Sequence, residues 1–154
     1  MARISIETSL TLDYRKGRWG IERIVLDAVQ NHMPADSGGT ECRILLRQHG
    51  DYLPLKDADP GASTDEVVIE DDGTGYDWRL LSLLYSTKSD NSLSVGQHGE
   101  GLKLAAAAAC REGIPLVLRS RDWLIEPRAK EEEVDGHAVK RLCFTGEEDR
   151  KSVV

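Results

Sequence analysis

Apolar and polar residues alternate over residues 3–12, with Ile4, Ile6, Leu10 and Leu12 as the apolar set, which predicts a strand with a polar face. Gly17 and Gly20 bracket a turn, Trp19 sits at the mouth of the next element, and the period then changes. Ile21, Ile24, Val25, Ala28 and Val29 recur at i, i+3, i+4, i+7 and i+8. Residues 19–33 therefore read as an amphipathic helix, and Pro34 ends it because the residue before a proline is pushed out of the helical region. A polar loop over 35–40 leads to a strand at 42–48. Residues 50–65, rich in Asp, Pro and Gly, read as an excursion between hairpin strands, and Val67, Val68 and Ile69 as a short buried strand.

Trp78, Leu81, Leu84 and Tyr85 have helical spacing, whereas residues 86–92 are polar and without period. Residues 102–111 carry five consecutive alanines and predict a helix that Gly113 and Pro115 stop. Three strands, at 115–120, 123–127 and 138–144, close the chain, with a charged turn over 128–136. This order predicts an α+β fold, a mostly antiparallel sheet with helices on one face. No repeat or linker divides the chain, so residues 1–154 are expected to form a single domain.

Charge narrows the function classes. There are 20 Lys and Arg against 27 Asp and Glu, a net charge of −7, which argues against a domain whose main affinity is for nucleic-acid phosphates. No apolar run approaches a membrane span, and the first residues lack a signal-peptide core. Cys42, Cys110 and Cys143 are odd in number and scattered, which argues against a disulfide framework or zinc knuckle and leads us to expect a reducing cytoplasm. Glycine is the unusual residue in the composition: of 14, Gly73, Gly75, Gly96, Gly99 and Gly101 crowd into residues 73–101.

Three places can carry chemistry. On the first helix Asp27 and Asn31 are one turn apart at the border of the apolar stripe, a carboxylate and a carboxamide suited to a hard cation and a polarised water. Directly after a buried strand comes Glu70-Asp71-Asp72-Gly73-Thr74-Gly75, where an acid at a strand end can accept from an amine and the glycines let backbone approach a flat ligand. Before the alanine-rich helix stands Gly96-Gln97-His98-Gly99-Glu100-Gly101-Leu102-Lys103, whose backbone N–H groups at a helix start would form an anion site. It is neither a P-loop, because Leu102 intrudes before Lys103 and no hydroxyl follows, nor a dinucleotide fingerprint, because its glycines run in the reverse order. Each feature alone is also what a solvated helix border, an Asp-Gly turn or a glycine-rich cap would show.

Taken together and in this order, the three resemble the GHKL ATPase superfamily, the group of DNA gyrase B subunits, the large heat-shock chaperone, sensor histidine kinases and MutL-type and MORC-type ATPases. The resemblance spans roughly residues 19–111. It implies the Bergerat fold, a two-layer sandwich on a mixed, mostly antiparallel sheet, with ATP and Mg²⁺ as cofactors. It places Asp27 as the general base, Asn31 on Mg²⁺, and Asp71 on the adenine amino group with Gly73 and Gly75 beside the base. Gly96, Gln97, His98, Gly99, Glu100, Gly101, Leu102 and Lys103 fall on the phosphate loop, and residues from 86 to about 99 on the ATP lid. Thr145 stands for the adenine-side threonine, and Ala35 is grouped with the nucleotide-binding positions. The form of the third motif and Ser86-Thr87-Lys88 look more like the gyrase, MutL or MORC branch than like the histidine kinases.

Two departures bear on activity. The family often has Asp-Ala soon after the Asn, where this chain has Met33-Pro34-Ala35-Asp36, and the family's base is usually Glu, one methylene longer than Asp27. The resemblance thus implies slow Mg-dependent ATP hydrolysis that drives lid closure or homodimerisation, with a downstream transducer domain or protein partner. A nucleotide-gated module that does not hydrolyse ATP, and a protein kinase of the histidine-kinase-like branch, are the alternatives. His32, His49 and His137 read as surface or packing histidines, His98 as a loop group, the run Glu131-Glu132-Glu133 as a solvated turn, and the alanine run as helix packing.

Overall fold

The computed structural model describes residues 1–14, 17, 19–82 and 94–149, with 94–100 as backbone. The chain divides into two compact units, one of residues 1–27 and 75–154 and the other of residues 28–74, and each is described by itself.

The first unit contains a four-stranded sheet in the order β1-β7-β6-β5, formed by β1 (Ala2–Thr11), β5 (Leu118–Ser120), β6 (Trp123–Val134) and β7 (His137–Glu148). Every pairing in it is antiparallel. Alternation decides which face is buried: Ile4, Ile6, Trp123, Ile125, Leu142 and Phe144 all point inward. Between Glu7 and Thr11 the β1–β7 register shifts, and the Thr8 hydroxyl fills the irregularity by donating to the Leu142 carbonyl (2.7 Å) and accepting from the Leu10 N–H (3.2 Å).

Helix α3 (Ser94–Glu112) covers the inner face. Ala106 and Ala107 lie in the cluster with the sheet, while Leu104, Ala105, Ala108 and Ala109 pack with Trp19 and Ile24. Apolar side chains thus meet α3 on two sides, and methyl groups let both sides approach its backbone closely. Arg111 anchors the chain beyond β1, donating to the carbonyls of Leu12 (2.5 Å) and Trp19 (3.1 Å). A 3₁₀ turn, Trp78–Ser82, buries Leu81 in the same core.

Helix α1 (Ile21–His32) spans the boundary between the units in sequence. In the second unit it is followed by α2 (Pro34–Ser37), β2 (Cys42–Gln48), β3 (Asp51–Pro54) and β4 (Glu66–Asp71), with the strands in the antiparallel order β3-β2-β4. Pro34 ends α1 and opens α2 from the first helical position, where a missing N–H costs nothing, and Gly38 closes α2 with a φ of 78°. The expected polar loop over 35–40 therefore contains a helical turn.

The architecture is α+β with antiparallel strand pairing throughout the described residues, and the single sheet expected from the sequence is two sheets. Two strands also differ from expectation. His49 and Gly50 both take positive φ (53° and 84°), the requirement of a tight two-residue hairpin, so β3 starts at once in what reads as an excursion. Asp135 and Gly136 do the same (50° and 79°). The supposed charged turn over 128–136 is accordingly strand, paired without a break until Val134 faces His137, and Glu131, Glu132 and Glu133 lie in β6. Among the described residues no helix is long and apolar enough to cross a membrane.

Candidate functional site

In the first unit the structure brings Asp27 and the third glycine motif together. A Cβ placed on Gly101 would lie 3.2 and 3.3 Å from the two carboxylate oxygens of Asp27, so only a bare Cα leaves the carboxylate an ordinary contact distance at this crossing. The base assignment and the phosphate-loop assignment, 74 positions apart, thus share one spot on the edge of α1 and α3.

The conformation of that motif differs from the expectation. Residues 96–103 lie within α3, which begins at Ser94, rather than in a loop ahead of it. The N–H groups without an intrahelical acceptor are those of a helix's first four residues, here 94–97, so of the motif only Gly96 and Gln97 belong to the anion-receptive end. His98, Gly99 and Glu100 follow as helical backbone. Leu102 is half-buried and packs against the sheet cluster, and Lys103 is only 2% exposed. Of the expected lid, residues 86–93 lie outside the described residues and 94–99 are helix.

Gly75 has a φ of 71°, and a Cβ on it would come within 2.2 Å of the Ser120 hydroxyl oxygen, which accepts a bond from the Tyr76 N–H (3.3 Å). Tyr76 then stacks edge-on against Trp123, at 5.3 Å between ring centroids, and accepts the Trp123 indole N–H at its carbonyl (2.9 Å). Burial pushes the Tyr76 phenol above its ordinary range. Thr145 does not join Asp27 and Gly101. It is exposed and alternates with the buried Leu142 and Phe144, which puts it on the sheet face opposite to α3.

In the second unit Asp71 ends β4 with its side chain only 17% exposed. Its Oδ1 accepts the Gly73 N–H (2.8 Å), and its Oδ2 lies 2.5 Å from Nδ1 of His32, the last residue of α1. Sequence reasoning passed over His32 as a surface or packing residue. The signal that could have found it is position, a histidine in the last turn of a helix that carries two other candidate residues. Cys42 faces Asp71 across the β2–β4 ladder, and its thiol is pushed up by burial and then by the Asp71 charge.

Gly73 is required here by close approach, because a Cβ would fall 2.3 Å from the Ser37 carbonyl oxygen. Asp72 turns the other way. It accepts the Thr40 hydroxyl, the Thr40 N–H (2.7 Å) and the Glu41 N–H (3.0 Å), which hold its carboxyl down at about 2. Asn31 is half-buried in the last turn of α1, and Ala35 is exposed on α2.

Among the described residues no group of three or more His, Cys, Asp or Glu side chains is arranged to hold a metal ion. No protein-family model, curated protein or solved structure matches the chain.

Proposed function

We propose that the chain is a Mg-dependent, ATP-binding domain of Bergerat type that hydrolyses ATP slowly and uses the nucleotide to drive a lid-closure or dimerisation switch. The observation that carries this reading is the close approach of Gly101 to the Asp27 carboxylate, because two parts of the three-part motif then meet where a Cβ would press on the carboxylate oxygens at 3.2 and 3.3 Å. A carboxylate against the first turns of a helix is also where a water attacking a phosphoryl group would need to be oriented.

In this reading Asp27 orients the water and accepts its proton, and Asp71 accepts the adenine amino group. The first-turn amides of α3, including those of Gly96 and Gln97, donate to phosphate oxygens. Asn31 supplies one oxygen to Mg²⁺, which when bound neutralises charge developing on the phosphates. Asp is shorter than Glu, and general-base catalysis depends on reach at the scale of a hydrogen bond, so turnover is expected to be slow. The switch then acts through a transducer domain or protein partner.

Calorimetry of the full chain with ATP and ADP, each with and without Mg²⁺, followed by phosphate release from the same sample, tests the proposal. Asn31→Ala is expected to abolish the Mg-dependent part of the affinity, and Asp27→Asn to keep binding and lose turnover. Full turnover in Asp27→Asn removes the base assignment. Binding without phosphate release by the wild type identifies a nucleotide-gated module in place of an ATPase, and absence of binding overturns the reading.

A further inference from the structure

We propose that His32 is a positioning residue for Asp71 and, through it, sets the preference for a purine that carries an exocyclic amino group; this rests on the nucleotide reading above. Reading a base makes a particular demand on a carboxylate. It accepts from any donor within reach, and selects among bases only if its plane and lone pairs are held in one orientation. Asp71 is held on both oxygens: the Gly73 N–H lies 2.8 Å from Oδ1 and His32 Nδ1 lies 2.5 Å from Oδ2. The two act from different elements, the turn after β4 and the end of α1, so together they fix rotation of the carboxylate about its own axis.

An ionised carboxylate only accepts, and His32 therefore places its proton on Nδ1. Each carboxylate oxygen has about two lone-pair sites, so a lone pair remains on each oxygen for a ligand donor after these bonds are made. The His32 and Asp71 side chains are 35% and 17% exposed, so the pair is partly screened from water while its rim stays accessible. Removing the imidazole takes away the hold on Oδ2, and Asp71 can then swing toward whichever donor or acceptor edge a base presents.

The experiment compares calorimetric affinities of the full chain for Mg-ATP and Mg-ITP, whose bases differ in an amino group against a carbonyl at the same position. The wild type is expected to favour ATP. His32→Ala is expected to bring the ATP/ITP ratio at least tenfold closer to one, the loss of about one well-placed hydrogen bond. His32→Asn, whose amide N–H can reach the same carboxylate oxygen, restores most of the ratio. If His32→Ala lowers both affinities equally, or His32→Asn fails to restore the preference, the histidine only fastens α1 to β4 and the positioning role is wrong. A preference lost in Asp71→Asn but intact in His32→Ala overturns this role alone, whereas a wild type that binds neither nucleotide overturns the nucleotide reading and this role with it.

Discussion

Gly75 and Gly101, drawn from two different glycine motifs, make opposite demands on their surroundings. Gly101 sits inside α3 without a positive φ, and the nearest atoms its Cβ would meet are the carboxylate atoms at the end of the Asp27 side chain. Gly→Ala in a helix interior gains about 1 kcal/mol of propensity, and a carboxylate can retreat by a few tenths of an ångström. Gly101→Ala is therefore expected to melt no lower than the wild type, and under the proposed function to lose phosphate release because Asp27 is displaced. Gly75 combines a φ of 71° with a 2.2 Å conflict at the Ser120 hydroxyl, so Gly75→Ala is expected to lose about 1–3 kcal/mol in urea unfolding. Gly75→Ala paired with Ser120→Gly should recover the steric part of that loss and keep the backbone part. A destabilised Gly101→Ala, or a neutral Gly75→Ala, contradicts this division. The motif pattern singled out both residues, but only the local backbone tells which of them is needed for conformation and which for approach.

At the level of elements, legibility followed local rules. β2 and the span of α1 can be read from period alone, since a run of apolar residues bounded by a proline or a polar loop leaves few alternatives. The hairpins were legible in principle from Asp135-Gly136, but the charge density over 128–136 outweighs that dipeptide when the stretch is read by polarity. The start of α3 was not legible: glycines are poor helix formers, and burial of the alanine segment behind them overrides that propensity. His32 was invisible because its partner Asp71 lies 39 positions away on another element.

Asp72 gives the turn between α2 and β2 a measurable signature. Its carboxyl is held at about 2, below the unfolded value near 4, by the Thr40 hydroxyl and the Thr40 and Glu41 N–H groups. A depressed pKa contributes stability that is complete above the unfolded value and is lost as pH falls through the folded one. The Thr40 and Glu41 amides are therefore expected to keep their chemical shifts from pH 7 to about 4 and to move together as pH drops toward 2, a titration that Asp72→Asn removes. Shifts that move around pH 4 to 5 instead would show that these bonds do not form.

Over the whole molecule, burial is divided unequally. Among the described residues every buried apolar side chain belongs to the unit of residues 1–27 and 75–154. The unit of residues 28–74 buries only Gln48, 3% exposed, whose side chain donates to the Asp59 carbonyl and the Thr64 hydroxyl (3.1 Å each) and accepts the Asp59 N–H (2.9 Å). Each such bond is worth about 1 kcal/mol net, while a fully buried Ile or Phe contributes about 1.5–3. The second unit is thus held by ladders and polar ties, and it is the part expected to open first. Native-state amide exchange should show β2 and β4 losing protection at free energies well below those of β7 and the alanine turns of α3. Trp19, Trp78 and Trp123 all lie in the first unit, so tryptophan fluorescence should stay native while the β2–β4 amides exchange. Protection that is equal across both sheets would mean that residues 28–74 unfold only with the rest of the chain. Under the proposed function the difference has a use: Asn31, Asp71 and Gly73 all belong to the less stable unit, and a ligand that binds them draws its stabilising effect from the part with the most order to gain.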